Sequence, residues 1–280
     1  MSATIIDGRA IAKDLRAQIK DQVSTLPSQP GLAVILVGDD PASHVYVNNK
    51  IKATVNCGMR SIEKRLPADV SAEKIASVIH ELNNDKDVHG ILLQLPLPKH
   101  LDADPLIQMI APEKDVDGLT FANIGKLVAG DKSGLVPCTP QGSLKLIKSV
   151  KDNLSGLHAV IIGRSLLFGK PMGQLLLQEN CTVTQAHSRT KDLPALCAEA
   201  DILIAAVGQP QMVTADWVKA GAIIIDVGIN RIGEKTLVGD VDFDTAKEKV
   251  AAITPVPGGV GPMTIACLLA NTLKAYENIH

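Results

Sequence analysis

Position 50 is a lysine, four residues after Tyr46 in PASHVYVNNKIKATVNCG (residues 41–58). Residues four apart on a helix share a face one turn from each other, so the ring and the amine would stand over one patch of surface. Val47, Ile51 and Val55 form a neighbouring apolar stripe that would anchor such a helix. An amine desolvated there has a lowered pKa, and an amine that is partly neutral near pH 7 is suited to proton transfer. Most helical lysines are solvated surface charges, so the pair alone leaves both readings open. Gln94 closes the apolar run HGILLQL ahead of Pro96 and Pro98, where it is either a polar strand terminus or a partner for the amine. PEKDVDG adds Asp115 and Asp117 in a turn bounded by proline and glycine. An aspartate in a turn commonly caps backbone N–H groups. That role suits Asp115 and leaves Asp117 for a ligand.

The second concentration of chemistry is ITPVPGGVGPMT, Ile253 to Thr264. Pro255, Pro257 and Pro262 fix φ, while Gly258, Gly259 and Gly261 strip side chains from the backbone. The expected product is a stiff, bare loop that a flat ligand can approach closely, with a plain strand-to-helix turn as the alternative.

A third set follows LHAVIIG, which continues into RSLLFGKPMGQLLL. The pattern is G-R-S-x-x-x-G-x-P, with Gly163, Ser165, Gly169 and Pro171, and not GxGxxG. Gly163 would allow the sharp turn, and Pro171 fits the first turn of a helix whose N-terminus attracts phosphate. In NAD-binding folds the next strand usually ends in a carboxylate that binds the ribose hydroxyls. Here CTVTQA ends in His187–Ser188–Arg189–Thr190. Hydroxyls and a guanidinium suit a 2′-phosphate, and Arg164 is a further candidate, so NADP is expected over NAD. The later strand AIIIDVGIN would bring the Ile229 backbone to the nicotinamide or the ribose.

Alternating strand-like and helix-like segments must position these groups. GLAVILVG is a continuous apolar run, as in strands buried on both faces, and SAEKIASVIHELNN places Ile75, Val78, Ile79 and Leu82 on one helical face behind a Ser71 N-cap. A helix over about 9–24 repeats Ile11, Leu15, Ile19 and Val23. Thr139–Pro140 reads as an N-cap followed by proline at the first helical position. LHAVIIG, CTVTQAH, DILIAAVG, AIIIDVG and AAITPV then read as a βαβ series with a parallel sheet. The expected fold class is α/β with two domains. One is an N-terminal α/β catalytic domain, residues 1–138, completed by a last helix at 263–280. The other is a Rossmann-like NADP-binding domain, 139–262, with a cleft between the two.

The chain has 280 residues, 46% hydrophobic and 21% charged, with net charge −2. No basic tract provides an electrostatic footprint for nucleic acid, and no apolar run approaches membrane-spanning length. The N-terminal residues carry no apolar signal core, so the cytoplasm is the expected location. Five scattered cysteines form no CxxC pair and seven histidines show no HExxH spacing, so no metal is expected.

YVNNK, GILLQLPLP, PEKDVDG, PCTPQG, GRSLLFGKPM, HSRT, GDVD and ITPVPGGVGPMT occur in the order seen in the bifunctional methylenetetrahydrofolate dehydrogenase/cyclohydrolase family, which the chain resembles over essentially its whole length. The resemblance implies NADP-dependent oxidation of methylenetetrahydrofolate to the methenyl cation, then hydrolysis to formyltetrahydrofolate. It implies Lys50 as the catalytic lysine, Tyr46 packing on the aminobenzoyl ring, Gln94 partnering the lysine and Asp117 binding the pterin. Pro257, Gly258, Gly259, Gly261 and Pro262 would wall the folate. Thr139, Gly163, Arg164, Ser165, Ser188, Arg189 and Ile229 would hold NADP, and the protein would be a homodimer. Phe168 departs from the small or β-branched residues usual in the GRS turn and is expected to reshape the nicotinamide side. Another NADP-dependent oxidoreductase on the same scaffold, or a non-catalytic folate or nucleotide sensor, are the competing readings.

Overall fold

The structure, a computed structural model, describes residues 3–233 and 236–280. In chain order the elements are β1 (Thr4–Ile5), α1 (Gly8–Ser24), β2 (Gly31–Val37), α2 (Pro41–Asn56), β3 (Arg60–Leu66), α3 (Ala72–Asn84), β4 (Gly90–Leu93), α4 (Ala103–Ile107), α5 (Phe121–Ala129) and α6 (Cys138–Val150). They continue with β5 (His158–Ile162), α7 (Gly169–Gln178), β6 (Thr182–Ala186), α8 (Leu193–Cys197), β7 (Ile202–Ala205), β8 (Ile223–Asp226), β9 (Asn230–Ile232), β10 (Thr236–Val238), α9 (Phe243–Ala246), β11 (Ala252–Ile253) and α10 (Val260–Ile279). Two compact units result. One combines Lys13–Cys138 with Ile265–His280; the other combines the residues up to Ala12 with Thr139–Thr264.

In the Lys13–Cys138 unit, β2 lies between β3 and β4 in a parallel sheet. All seven residues of β2 and all four of β4 are buried, as continuous apolar runs require when both sheet faces are covered. α3 packs on this sheet through Ile75, Val78, Ile79 and Leu82, and Ser71 Oγ accepts the Lys74 N–H at its start. α2 opens at Asp40, whose carboxylate accepts the Ser43 N–H at 2.8 Å, and ends at Cys57 before Gly58. Its expected stripe is shorter than its spacing suggested: Val47 is buried and Ile51 half-buried, but Val55 is exposed. A four-residue step overshoots a 3.6-residue turn by about 40°, so two steps carry Val55 off the buried face. The last residues of α10 complete this unit, where the Tyr276 hydroxyl meets Ser28 Oγ at 2.8 Å.

The other unit is built on a six-stranded parallel sheet ordered β1-β11-β8-β7-β5-β6. Its two-residue edge strand β1 pairs with β11. Val160, Ile162, Leu203, Ala205, Ile224 and Ile253 share one core on this sheet. α6 begins at Cys138, two residues before the Pro140 start that a Thr139 N-cap predicts. Thr139 therefore lies inside the first turn, and its hydroxyl is paired with that of Thr264 at 3.1 Å and does not cap the helix.

Candidate active site

In the Lys13–Cys138 unit, α2 places Lys50 and Tyr46 one turn apart. Lys50 is only 5% exposed, and its Nζ lies 4.6 Å from the Tyr46 ring centroid. The end of β4 supplies the partner: Nζ donates to Gln94 Oε1 at 2.9 Å. The backbone N–H of Gln94 extends the strand pairing to the Ile35 carbonyl. Its Nε2 donates to the Leu95 carbonyl, which turns Oε1 toward the amine. A neutral amide accepts a hydrogen bond from an amine or an ammonium alike, so it holds Lys50 without fixing its charge. Burial pushes the Lys50 pKa below the ordinary lysine value, against the opposing pull of Asp117 and Cys138.

Asp117 projects from a turn that its neighbours brace. Lys114 Nζ donates to the carbonyls of Leu82, Asn83 and Asp85 at the C-terminal end of α3. Asp115 is buried and accepts from the N–H groups of Gly118 and Thr120 and from Asn123 Nδ2. Asp115 is thus occupied with backbone, while Asp117 faces Lys50 electrostatically; burial raises its pKa and Lys50 pulls it back down. Two further residues, Cys138 and Asn271, brace the same turn. Cys138 donates to the Val116 carbonyl at 3.2 Å, and burial, reinforced by Asp117, keeps it a neutral thiol. Asn271 of α10 donates to the Val116 and Val136 carbonyls at 2.8 Å each. The only early signal for Cys138 was its place in PCTPQG; Asn271 serves distant backbone and left no local pattern.

In the other unit, β5 runs into the Gly163 turn. Gly163 has φ +135°, and a Cβ there would lie 2.5 Å from the Ala206 carbonyl oxygen, so the turn requires glycine. Ser165 Oγ accepts the Phe168 N–H at 3.2 Å, and α7 starts immediately after with Pro171 in its first turn. Phe168 is 4% exposed, so its ring packs inside the protein. After β6, the His187–Thr190 turn is closed by its own hydrogen bonds. Ser188, Arg189, Arg164 and Ser165 are exposed, and neither guanidinium forms an ion pair or side-chain hydrogen bond among the described residues. A bare glycine turn, a helix N-terminus and two unengaged guanidinium groups beside hydroxyls fit a dinucleotide carrying a 2′-phosphate.

The Pro- and Gly-rich loop belongs to this same unit. Together with Arg9, Asp226, Gly228 and Ile229, residues Pro255 to Pro262 line a cavity of about 150 Å³. Gly258 has φ +116°, and a Cβ there would sit 3.2 Å from Arg9 Nε. Ile229 is exposed at the rim, near Gly261. Arg9 was missed in the sequence because it reads there as an ordinary early helical residue. Lys50, Tyr46, Gln94 and Asp117 therefore gather in one unit. Pro257, Gly258, Gly259, Gly261 and Pro262 lie in the other, with Thr139, Gly163, Arg164, Ser165, Ser188, Arg189 and Ile229.

Two family models match the chain. Residues 6–117 match the catalytic domain, and residues 137–280 the NAD(P)-binding domain, of tetrahydrofolate dehydrogenase/cyclohydrolase. Among curated relatives, the bifunctional protein FolD of Cereibacter sphaeroides is 58% identical over 282 residues, covering 98% of this chain and 95% of its own. Among solved structures, the FolD methylenetetrahydrofolate dehydrogenase/cyclohydrolase of Campylobacter jejuni superimposes with a TM-score of 0.97 at 45% identity, covering 100% of both chains. The Trypanosoma brucei enzyme, solved with NADP cofactor and inhibitor, gives 0.95 at 38% identity, covering 99% of this chain and 98% of its own.

Proposed function

The chain belongs to the tetrahydrofolate dehydrogenase/cyclohydrolase family, and from that premise we infer how its own residues divide two reactions. It is a bifunctional enzyme. It oxidises 5,10-methylenetetrahydrofolate to 5,10-methenyltetrahydrofolate with NADP, then hydrolyses the product to 10-formyltetrahydrofolate. NADP, when bound, supplies the acceptor for the hydride. The chain's task in that step is to bind, orient and keep water out.

The hydrolytic step is where the protein must move protons. Water adds to the methenyl carbon and passes one proton to the neutral Lys50 amine; the remaining hydroxyl proton then moves to N5 as the bond from that carbon to N5 breaks, leaving the formyl group on N10, and Lys50 returns its proton to solvent. Gln94 aims the amine at the reacting carbon. The methenyl group is itself cationic, which further favours the neutral amine while substrate is bound. Tyr46 packs on the aminobenzoyl ring. Asp117 accepts paired hydrogen bonds from the pterin amino and ring N–H edge, and such donors favour its ionised form against the burial that opposes it.

Pro257, Gly258, Gly259, Gly261 and Pro262 form the rigid wall against the folate. Gly163, Ser165, Ser188, Thr139 and Ile229 hold the cofactor, with Arg164 and Arg189 on its 2′-phosphate. The unit containing Lys50 carries the folate chemistry and the unit containing Gly163 the cofactor. The family membership also supports a homodimer acting in the cytoplasm, with no nucleic-acid partner. No helix among the described residues is long and apolar enough to cross a membrane.

The observation that carries this reading is the buried Lys50 amine held by Gln94 beside Tyr46 and Asp117. Purified protein given methylenetetrahydrofolate and NADP is expected to produce NADPH and a transient methenyl absorbance that decays to formyltetrahydrofolate. Absence of both signals contradicts the reading; NADPH formation only with some other substrate would favour a different oxidoreductase on this scaffold.

A further inference from the structure

Two buried carboxylates near the carboxyl ends of β7 and β8 take no part in the reactions above. Asp240, which follows the β9–β10 hairpin, is fully buried. Its Oδ2 accepts the N–H groups of Val207 at 2.7 Å and Gly208 at 3.0 Å. Its Oδ1 accepts the Gln209 N–H at 2.9 Å and Asn230 Nδ2 at 2.8 Å. Asp226, the last residue of β8, accepts from the N–H groups of Gly228, Asp240 and Val241. The Asp226 N–H donates in turn to Thr254 Oγ1, just ahead of the Pro255–Pro262 loop. Neither carboxylate has an ion-pair partner among the described residues. Their charge is met by N–H groups from the very segments that end the central strands, an anion nest built from backbone.

The backbone has been cleared to admit them. A Cβ on Gly228 would lie 2.3 Å from Asp240 Oδ1, and one on Gly239 would lie 1.8 Å from Asp226 Oδ2. In a planar trans peptide the N–H and C=O point in opposite directions. The Ala206–Val207 peptide therefore offers its N–H to Asp240 while its carbonyl oxygen faces Gly163 in the cofactor turn. The same carboxylate, through Asn230, also anchors the segment that carries Ile229.

We propose that Asp240 is a positioning residue for hydride transfer, holding the Ala206–Gln209 and Gly228–Asn230 segments so that their backbone groups seat the nicotinamide half of NADP. It touches neither substrate nor cofactor, and it acts through those two segments. The proposal rests on the cofactor assignment given above. A purely structural aspartate would weaken both activities together when replaced; this one serves the redox half alone.

The test is Asp240→Asn, which removes one acceptor oxygen and turns an NH2 group toward N–H donors. The dehydrogenase kcat/KM for NADP is expected to fall about a hundredfold, the size of effect that a displaced reactant produces. Hydrolysis of added methenyltetrahydrofolate, which needs no NADP, is expected to stay within about twofold. Should Asp240→Asn fail to fold, Asn230→Ala removes a single donor to Asp240 and is expected to show the same split, roughly tenfold in size. Equal loss of both activities in a folded variant, or unchanged NADP kinetics, would overturn the proposal. A wild-type protein that does not use NADP would instead overturn the cofactor assignment, so the two failures are distinguishable.

Discussion

Lys50→Met is expected to lower methenyltetrahydrofolate hydrolysis by about a thousandfold, in the middle of the range for losing a positioned acid–base group, while hydride transfer to NADP stays within about tenfold of the parent. Methionine fills much of the lysine's volume and carries no ionisable group, so α2 keeps its buried face while Gln94 loses its amine. The dehydrogenase step asks nothing of Lys50 beyond substrate positioning. Hydrolysis asks it to accept a proton from water, which only the neutral amine can do. The sign of the pH dependence follows. Burial lowers the Lys50 pKa, the active form is the deprotonated one, and the parent's hydrolysis rate must rise with pH up to that lowered value and level off above it. In Lys50→Met that ascending limb should vanish once the uncatalysed rate is subtracted. Measuring both activities on the same preparation decides the matter: equal loss of the two, with folding intact, contradicts a dedicated proton-transfer role.

The second large effect concerns the cofactor. Arg164→Ala combined with Arg189→Ala is expected to weaken NADP binding by roughly a hundredfold and NAD binding by less than about threefold. Each guanidinium is exposed and unengaged, so removing it leaves no buried partner stranded, and the fold should tolerate the change. Hydrogen bonds to a charged group contribute about 1.5–3 kcal/mol each, and solvent exposure places these two toward the lower end. The same exposure predicts that the parent's NADP affinity weakens with added salt more than its NAD affinity does, because salt screens surface charges. Titration of both nucleotides at two ionic strengths checks the assignment. A parallel fall in the two affinities would show that the arginines do not read the 2′-phosphate.

The parts of this fold that were legible in the sequence are those where burial dictates residue type. The continuous apolar runs at β2, β4, β5, β7 and β8 lie in covered sheets, and the α3 stripe of Ile75, Val78, Ile79 and Leu82 is buried as its spacing required. Edge elements were less legible. β3, with the sequence RSIEKRL, is mostly half-exposed and charged, and its partner β2 specifies it more than its own residues do. β1 is two exposed residues recognised only by pairing with β11. Thr139 resembles an N-cap locally, yet its hydroxyl pairs with Thr264, 125 residues away.

The same limit applies at the site. Tyr46 and Lys50 are legible as a pair because one helix positions both. That Gln94 receives the amine depends on β4 ending beside α2, a contact across 44 residues. Cys138, Asn271 and Asp240 escaped because each satisfies backbone groups remote in sequence, and such service leaves no periodic trace. GDVD was noticeable as a motif, but only the three N–H groups of Val207–Gln209 converging on Asp240 give it a physical role.

Hydrolysis depends on a Lys50 amine whose pKa burial has lowered, and the most direct measurement of that amine is its own titration. Lysine labelled with carbon-13 at the ε position, assigned by comparison with Lys50→Met, reports the charge on Nζ through its chemical shift as pH is varied. The midpoint for Lys50 is expected clearly below the ordinary lysine value of about 10.4, with a further downward move when a methenyltetrahydrofolate analogue is bound. A midpoint at or above that ordinary value would mean that the amine stays protonated, and the proposed hydrolytic mechanism would be wrong.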